Sequence, residues 1–342
     1  MEKIGKILSV ILVFVFCMAS LAMANEVYEF TLSVETVMDH PRNQGLLIFI
    51  KNLEEKSNGR FKVKFYHSAQ LYKGVDILKA LSLGTVDMGM PGIWWLGKYD
   101  PNADLTALPM FYGQPPQVTQ ELVDGDWGQL INKSLEKKMN TVIPGLWYEL
   151  GYQELHTTKK KVTKLEDVKG LRIRYAGGAA NGERLRAMGA NPVPIPWPDV
   201  AMALMRGTCD GLITSLKPLH SAKLVDAGIT YSIRDREYLM HYIPMCSKKF
   251  WSSIPKDLKE LFTEVWNEHI PQQRELARKM QLEGELAVEE LEKKKGGGIY
   301  RPSNEQLAEF RKQIIKKQEH IVQKMGIDSK LVEVGMQKLG MK

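Results

Sequence analysis

Between Tyr28 and Val34, apolar residues alternate with polar ones, the two-residue period of a half-buried strand. The period then changes. Leu46, Leu47, Ile50 and Leu53 recur at helical spacing within 43–56, and Asn58-Gly59 supplies a stop. Phe61, Val63 and Phe65 mark a second strand, 75–83 a short helix and 86–90 a third strand. Strands and helices in this alternation predict a mostly parallel sheet. A helix over 117–138 and a strand over 141–148 follow. The second half repeats the theme with strand 171–175, helix 179–188, strand 193–195, helix 198–206 and strand 209–213. Ala80-Leu81-Ser82-Leu83-Gly84-Thr85-Val86-Asp87 matches Ala203-Leu204-Met205-Arg206-Gly207-Thr208-Cys209-Asp210 at five of eight positions. Each run reads as a helix end, a Gly-Thr turn and a strand start. Two α/β lobes of related build are expected.

Segments 149–158 and 237–246 read as extended crossings between the lobes, and two crossings permit hinge motion. The expected division is 25–150 plus about 238–279 for one lobe, and 151–237 plus about 280–342 for the other. Over 255–293, Leu258, Leu261, Phe262, Val265 and Trp266 place one buried face on a long helix. Pro271 is expected to kink it and Gly296-Gly297-Gly298 to stop it. Ser303 and Gln306 form a capping box for a last helix to Met325.

The first residues depart from this soluble pattern. Lys3 and Lys6 precede an apolar run from Ile7 through Cys17, and Ala22-Met23-Ala24 supplies small residues at a cleavage site. This predicts a secretory signal peptide over 1–24, hence an exported, soluble mature chain. Phe14-Val15-Phe16 is too bulky to precede a lipidated Cys17. The formal charge of +7 falls to about +6 with the leader removed, a modest attraction for anions. The lysines are scattered, with no basic arm and no aromatic platform, which argues against nucleic acid. Cys209 and Cys246 are either a disulfide of an oxidising compartment or two buried thiols; spacing does not decide.

The candidate chemistry centres on Arg174, at the end of a strand and facing Gly177-Gly178. A guanidinium offers paired planar donors to a small acid and stays charged. The loop Pro91-Gly92-Ile93-Trp94-Trp95-Leu96-Gly97 follows a strand's carboxyl end, where open α/β sheets bind ligands. Trp94 and Trp95 there either wall a pocket or pack the core. No G-x-S-x-G, H-E-x-x-H, Walker-type P-loop or G-x-G-x-x-G after a strand occurs, and the seven His residues lack metal-ligand spacing. Gly177-Gly178 is too little for a phosphate cradle. This points to binding rather than catalysis, with no cofactor and no metal expected.

The run Leu165-Glu166-Asp167-Val168-Lys169-Gly170-Leu171-Arg172-Ile173-Arg174, then Gly189-Ala190-Asn191-Pro192-Val193-Pro194, then Ala203-Leu204 with Gly207 and Asp210-Gly211, resembles the DctP-like solute-binding proteins of tripartite ATP-independent periplasmic (TRAP) transporters. The resemblance covers essentially the mature chain. It implies an α/β, type II periplasmic-binding-protein fold: two α/β lobes, a hinge and a long bracing helix. It further implies periplasmic capture of a small organic anion by lobe closure, and delivery to a small and a large integral membrane subunit. The family's selectivity arginine falls on Arg174, and its aromatic after the Gly-Ala-x-Pro segment falls on Trp197. Two departures stand out. Gln153, in Gly151-Tyr152-Gln153, replaces a frequent second cation, and Thr214 or the adjacent Ser215 replaces an amide after Asp210-Gly211.

The expected site is thus Arg174, Trp197, Thr214, Gln153, Trp94, Trp95 and Ser215. Neutral donors around one arginine suit a carboxylate or an organosulfonate such as isethionate; Trp94, Trp95, Trp147 and Trp197 would instead suit an aromatic acid. The alternative functions are an exported enzyme acting on a small organic acid and a ligand-presenting partner of a sensor kinase.

Overall fold

The computed structural model describes residues 26–341; the leader expected over 1–24 lies outside the described residues. In chain order the elements are β1 Tyr28–Ser33, α1 Pro41–Lys56, β2 Phe61–Tyr66, α2 Asp76–Leu83, β3 Met88–Gly89, α3 Pro116–Asp124, α4 Asp126–Met139, β4 Thr141–Val142 and β5 Tyr148–Thr157. There follow β6 Arg172–Tyr175, α5 Ala179–Ala187, β7 Asn191–Pro194, α6 Val200–Met205, β8 Gly211–Thr214, α7 Leu216–Ser221, β9 Tyr231–Tyr242 and β10 Met245–Ser247. The chain closes with α8 Lys248–Ser253, α9 Lys256–Lys294, β11 Gly298–Tyr300, α10 Asn304–Ile314, α11 Gln318–Met325 and α12 Ser329–Lys338.

Two sheets form. The first has the order β2-β1-β3-β10-β4, with β1 parallel to both neighbours and β10 antiparallel to its own. The second has the order β11-β9-β5-β8-β6-β7. The segments read as bare crossings are the long antiparallel pair β5 and β9 of this second sheet, registered from Tyr148↔Tyr242 to Thr157↔Tyr231. Backbone pairing makes the connection a stiff ribbon. Its two ends nonetheless belong to different cores: Leu150, Tyr238, Met240 and Tyr242 to the first, Leu155 and Ile233 to the second. A cut at 150/151 therefore falls inside one strand.

The matched octapeptides fold alike. Gly84 and Gly207 both take left-handed φ, 67° and 66°, where a side chain would be strained. Thr85 N donates to Ala80 O at 3.0 Å and Thr208 N to Ala203 O at 2.9 Å. Asp87 then accepts from Thr31 N at 2.8 Å and Asp210 from Arg172 N at 2.9 Å, so each acid pins a turn to the neighbouring strand.

Other boundaries differ from expectation. The helix expected over 117–138 is two, broken at Gly125, and only Thr141–Val142 of the following segment is strand before β5. Helix α9 runs its 39 residues through Pro271 without a break, about 58 Å at 1.5 Å per residue. Leu258, Phe262, Val265, Trp266 and Ile270 bury in the first core and Val288 packs beside α7, so one helix braces both sheets. The Ser303–Gln306 capping box is present, but its helix ends at Ile314 and a 3-10 turn precedes α11. Leu307, Phe310 and Ile314 pack with the second core, whereas Ile321, Val322, Ile327 and Val332 return to the first. The C-terminal helices thus do not all belong with 151–237, because α11 and α12 bury their apolar faces elsewhere. Cys209 and Cys246 are free thiols in different cores. Among the described residues, no helix is long and apolar enough to cross a membrane.

Candidate functional site

The carboxyl ends of β1, β3, β6 and β8 converge on a crevice between the sheets. Each contributes lining residues: Glu35 and Thr36 after β1, Trp94 and Trp95 after β3, Arg174 and Ala176 from the end of β6, and Ile213 and Thr214 from β8. This is the ligand position that open α/β topology favours.

Arg174 is 1% exposed. Its Nε donates to Ile195 O at 2.9 Å, and its guanidinium carbon lies 5.4 Å from the Trp197 ring centroid. Nη2 is buried with no hydrogen-bond partner among the described residues. Burial pulls the guanidinium down to about 9, still charged at neutral pH. Its neighbour two positions earlier makes the contrast. Arg172 is exposed and fully engaged by Asp210, with Nε–Oδ2 at 3.0 Å and Nη2–Oδ1 at 2.7 Å. Of these two arginines on one strand, only the crevice member lacks an acid. A buried cation without a counter-ion is costly, and an anion seated beside it removes that cost.

Aromatic walls enclose the arginine. Trp94 packs edge-on to Tyr242 and to Trp95, at centroid distances of 5.3 and 5.8 Å. Its Nε1–H is buried and has no partner among the described residues. Trp95 Nε1 reaches across the crevice to donate to Ala176 O at 2.8 Å. Gly177-Gly178 permits this approach: a Cβ at Gly178 would sit 2.1 Å from Trp94 O. The glycine pair is thus a landing for the tryptophan loop rather than an anion cradle. At the mouth, Lys217 on α7 pairs with Asp39 at 2.8 Å, and Ser221 Oγ donates to Asp39 O at 3.0 Å.

The other expected residues divide. Thr214 lines the crevice. Its carbonyl accepts from His156, a fully buried imidazole pushed down to about 3 by burial and also bonded to Ser232. Gln153 lines the crevice, but its amide faces away: Nε2 donates to Glu237 at 2.9 Å and Oε1 accepts from Tyr238 at 3.3 Å. Glu237 in turn pairs with the buried Arg184. Ser215 is outside the lining, with Oγ accepting from Gln281 of α9 at 3.1 Å. Trp147 is also outside, held by Asn132 at 2.9 Å.

Sequence reasoning missed Glu35, Thr36, His40 and Tyr242, all in the lining. Glu35 and Thr36 had a signal, since they follow β1 as the tryptophans follow β3. Glu35 Oε2 accepts from the buried Arg42 Nη2 at 3.0 Å, while among the described residues Oε1 receives no hydrogen bond. Arg42 also donates to Met90 O at 2.8 Å and covers the Tyr242 ring at 4.2 Å, so its charge is already engaged. His40 caps α1, its Nδ1 accepting from Arg42 N at 3.1 Å. Burial first, then Arg42 and Lys217, hold the ring neutral, so the proton sits on Nε2 and is directed at Tyr242 Oη, 3.5 Å away. Tyr242 is then free to donate its own proton elsewhere. Among the described residues, no cluster of three or more His, Cys, Asp or Glu could hold a metal ion.

Comparison with known proteins agrees with this geometry. The profile of the DctP family, bacterial extracellular solute-binding protein family 7, matches residues 32–325. A solute-binding protein of Chromohalobacter salexigens is 25% identical over 240 residues, 69% of each chain. The C4-dicarboxylate-binding periplasmic protein DctP of Rhodobacter capsulatus is 25% identical over 225 residues, 65% of each. In fold, the chain superimposes on a TRAP periplasmic solute-binding protein from Sulfurospirillum deleyianum, solved with succinate. That match has a TM-score of 0.83 at 24% identity and covers 91% of this chain and 99% of the other. The chain therefore has the two-lobe periplasmic-binding-protein fold and belongs to the DctP family of bacterial extracellular solute-binding proteins, the TRAP type, a family of binding proteins rather than enzymes.

Proposed function

We propose that this protein is the exported receptor of a TRAP transport system, capturing a small organic acid anion and presenting it to small and large integral membrane subunits for import. The carrying observation is the buried Arg174 guanidinium, whose Nη2 has no partner among the described residues although it lines the crevice. An acid head placed there supplies the missing acceptor, and carboxylate and sulfonate oxygens both satisfy it. Trp197 covers the guanidinium; Trp94, Trp95 and Tyr242 shape the remaining walls. Thr214 offers a hydroxyl, and Gln153 acts through the network behind the wall. The periplasmic location and the membrane partners rest on the family and on relatives such as the Rhodobacter protein.

The test is a thermal-shift screen over carboxylates and sulfonates, isethionate included, followed by calorimetry on Arg174→Ala. A ligand at 100 times its Kd should add about 2.7 kcal/mol of stability. The substitution should weaken binding by roughly 2–5 kcal/mol, the scale for breaking a desolvated charge pair. The unliganded variant should unfold no earlier than wild type, because an unpaired buried charge has gone. Undiminished affinity in Arg174→Ala would reject the clamp.

A further inference from the structure

The half of the crevice opposite Arg174 carries information about the other end of the ligand. Glu35 and Arg174 are the charged groups in the lining, His40 being neutral. Glu35 is already matched by Arg42 at 3.0 Å, and among the described residues Arg42 has no other charged partner. The Glu35–Arg42 pair is therefore neutral as a unit, and the crevice presents one uncompensated positive charge. A ligand that balances it carries one negative charge, on the head that meets Arg174.

The far wall is not apolar, however. Glu35 Oε1 is a carboxylate acceptor with no protein donor among the described residues, and Tyr242, in the same lining, has a proton to give. Both sit against the same Arg42 guanidinium, which bonds Glu35 and lies 4.2 Å from the Tyr242 ring centroid. An acceptor and a donor on one wall of the crevice match one group that both donates and accepts. A hydroxyl does this while remaining neutral. A second carboxylate has no proton to offer Glu35 and would stand against it as a like charge. An ammonium can donate but cannot accept from Tyr242, and Arg42 lies immediately behind Glu35.

We infer that the ligand is a hydroxylated monoanion, its acid head on Arg174 and a hydroxyl bridging Glu35 and Tyr242, and that Glu35 is the residue that excludes dicarboxylates. This rests on the reading of Arg174 as the acid clamp. Glu35→Gln supplies the decisive variant: its amide oxygen can keep the bond from Arg42, which leaves the NH₂ facing the crevice. The far wall then changes from acceptor to donor.

The experiment measures Kd by calorimetry, for wild type, Glu35→Gln and Arg174→Ala, against matched acids of two to six carbons. Each set holds a hydroxylated monoacid, the dicarboxylate and the amino acid of the same length, with 2-hydroxyethanesulfonate and 2-aminoethanesulfonate as the sulfonate pair. Wild type should prefer the hydroxylated member at least tenfold. Glu35→Gln should lose roughly 10- to 100-fold for it, the range for a hydrogen bond to a charged group, and should gain dicarboxylate binding. Unliganded melting curves confirm that the variants are folded. Equal or tighter wild-type binding of a dicarboxylate or amino acid overturns the inference, as does a panel in which no hydroxylated monoanion binds. An unchanged preference in Glu35→Gln also overturns it. If that happens while Arg174→Ala abolishes all binding, the clamp stands and only the far-end reading falls; if Arg174→Ala binds normally, the clamp itself has failed.

Discussion

Gly178→Ala tests whether closure depends on the tryptophan loop seating against the glycine pair. Two penalties arise, and they separate. The first is conformational: Gly178 has φ 85° and ψ 128°, a region that costs a residue with a Cβ roughly 1–2 kcal/mol or more. That cost is present whether the crevice is open or closed, so it lowers the melting temperature and leaves the closing equilibrium alone. The second is steric and arises only where the tryptophan loop meets the glycine pair across the crevice. The new Cβ would lie 2.1 Å from Trp94 O, where contacts under 3.0 Å are essentially never seen. The two backbones must part by about 1 Å, which also stretches the Trp95 Nε1 bond to Ala176 O, and overpacking of this kind costs about 1–3 kcal/mol. Ligand affinity should fall about 5- to 150-fold. Gly170→Ala is the control, since its φ is 80° but no atom lies within 4 Å of the added Cβ. It should lose comparable stability and no affinity. Calorimetry and thermal melts on both variants read the two terms. Wild-type affinity in Gly178→Ala, or equal affinity losses in the two variants, would refute the closure argument.

The ion pair at the mouth should matter less. Asp39→Asn removes the Lys217 contact while leaving the bond from Ser221 to the backbone, and because Asp39 is largely exposed the effect should stay within about fivefold on ligand dissociation. Stopped-flow tryptophan fluorescence should show that difference shrinking as salt rises; a salt-independent difference would contradict it. Glu154 gives a pH prediction. Burial raises its carboxyl from 4.5 to about 7 despite Arg234, so its contribution is fully present below about pH 4.5 and is lost as pH rises through 7. Buried neutral imidazoles such as His156 and His241 act in the opposite sense as pH falls below 6.5, so the readable quantity is a difference between proteins. The melting temperature of Glu154→Gln minus that of wild type should rise from pH 5 to pH 8, and a flat difference would show that Glu154 titrates normally.

Much of this was legible in the residues, for identifiable reasons. Arg174 stood out because a cation at the end of a short strand, facing glycines, can be closely approached by a small anion. The repeated Gly-Thr-x-x turn predicted related halves, and the shared acid-to-strand bonds give it a physical basis. Segments whose structure depends on distant partners were not legible. The ribbon β5–β9 looked like linker because its pairing joins residues some 80 positions apart. Ser215 and Thr214 were equivalent as hydroxyls, and only strand alternation with the packing of α9 turns one to the crevice and the other to Gln281. Tyr242 has no local signal: its role comes from a His tautomer set by a helix cap 202 residues away.

The equivalence of the two halves also bears on recognition. Asp87 pins its turn to β1, and Asp210 pins the matching turn to β6, so β1 and β6 occupy corresponding places in their sheets. Each ends at the crevice, and each delivers one charged side chain to it, Glu35 just beyond β1 and Arg174 within β6. The corresponding ends of the repeated unit therefore carry opposite signs. Arg42 cancels one of them from behind, whereas among the described residues no acid cancels the other. A crevice built this way distinguishes the two ends of its ligand, because only one end meets an unbalanced charge. A symmetric diacid gains nothing from that asymmetry, and a molecule with one acid head and one neutral polar end gains at both. Exchanging the charges of Glu35 and Arg42 would therefore not preserve selectivity, even with the net charge held, since it would leave a cation facing the ligand at both ends.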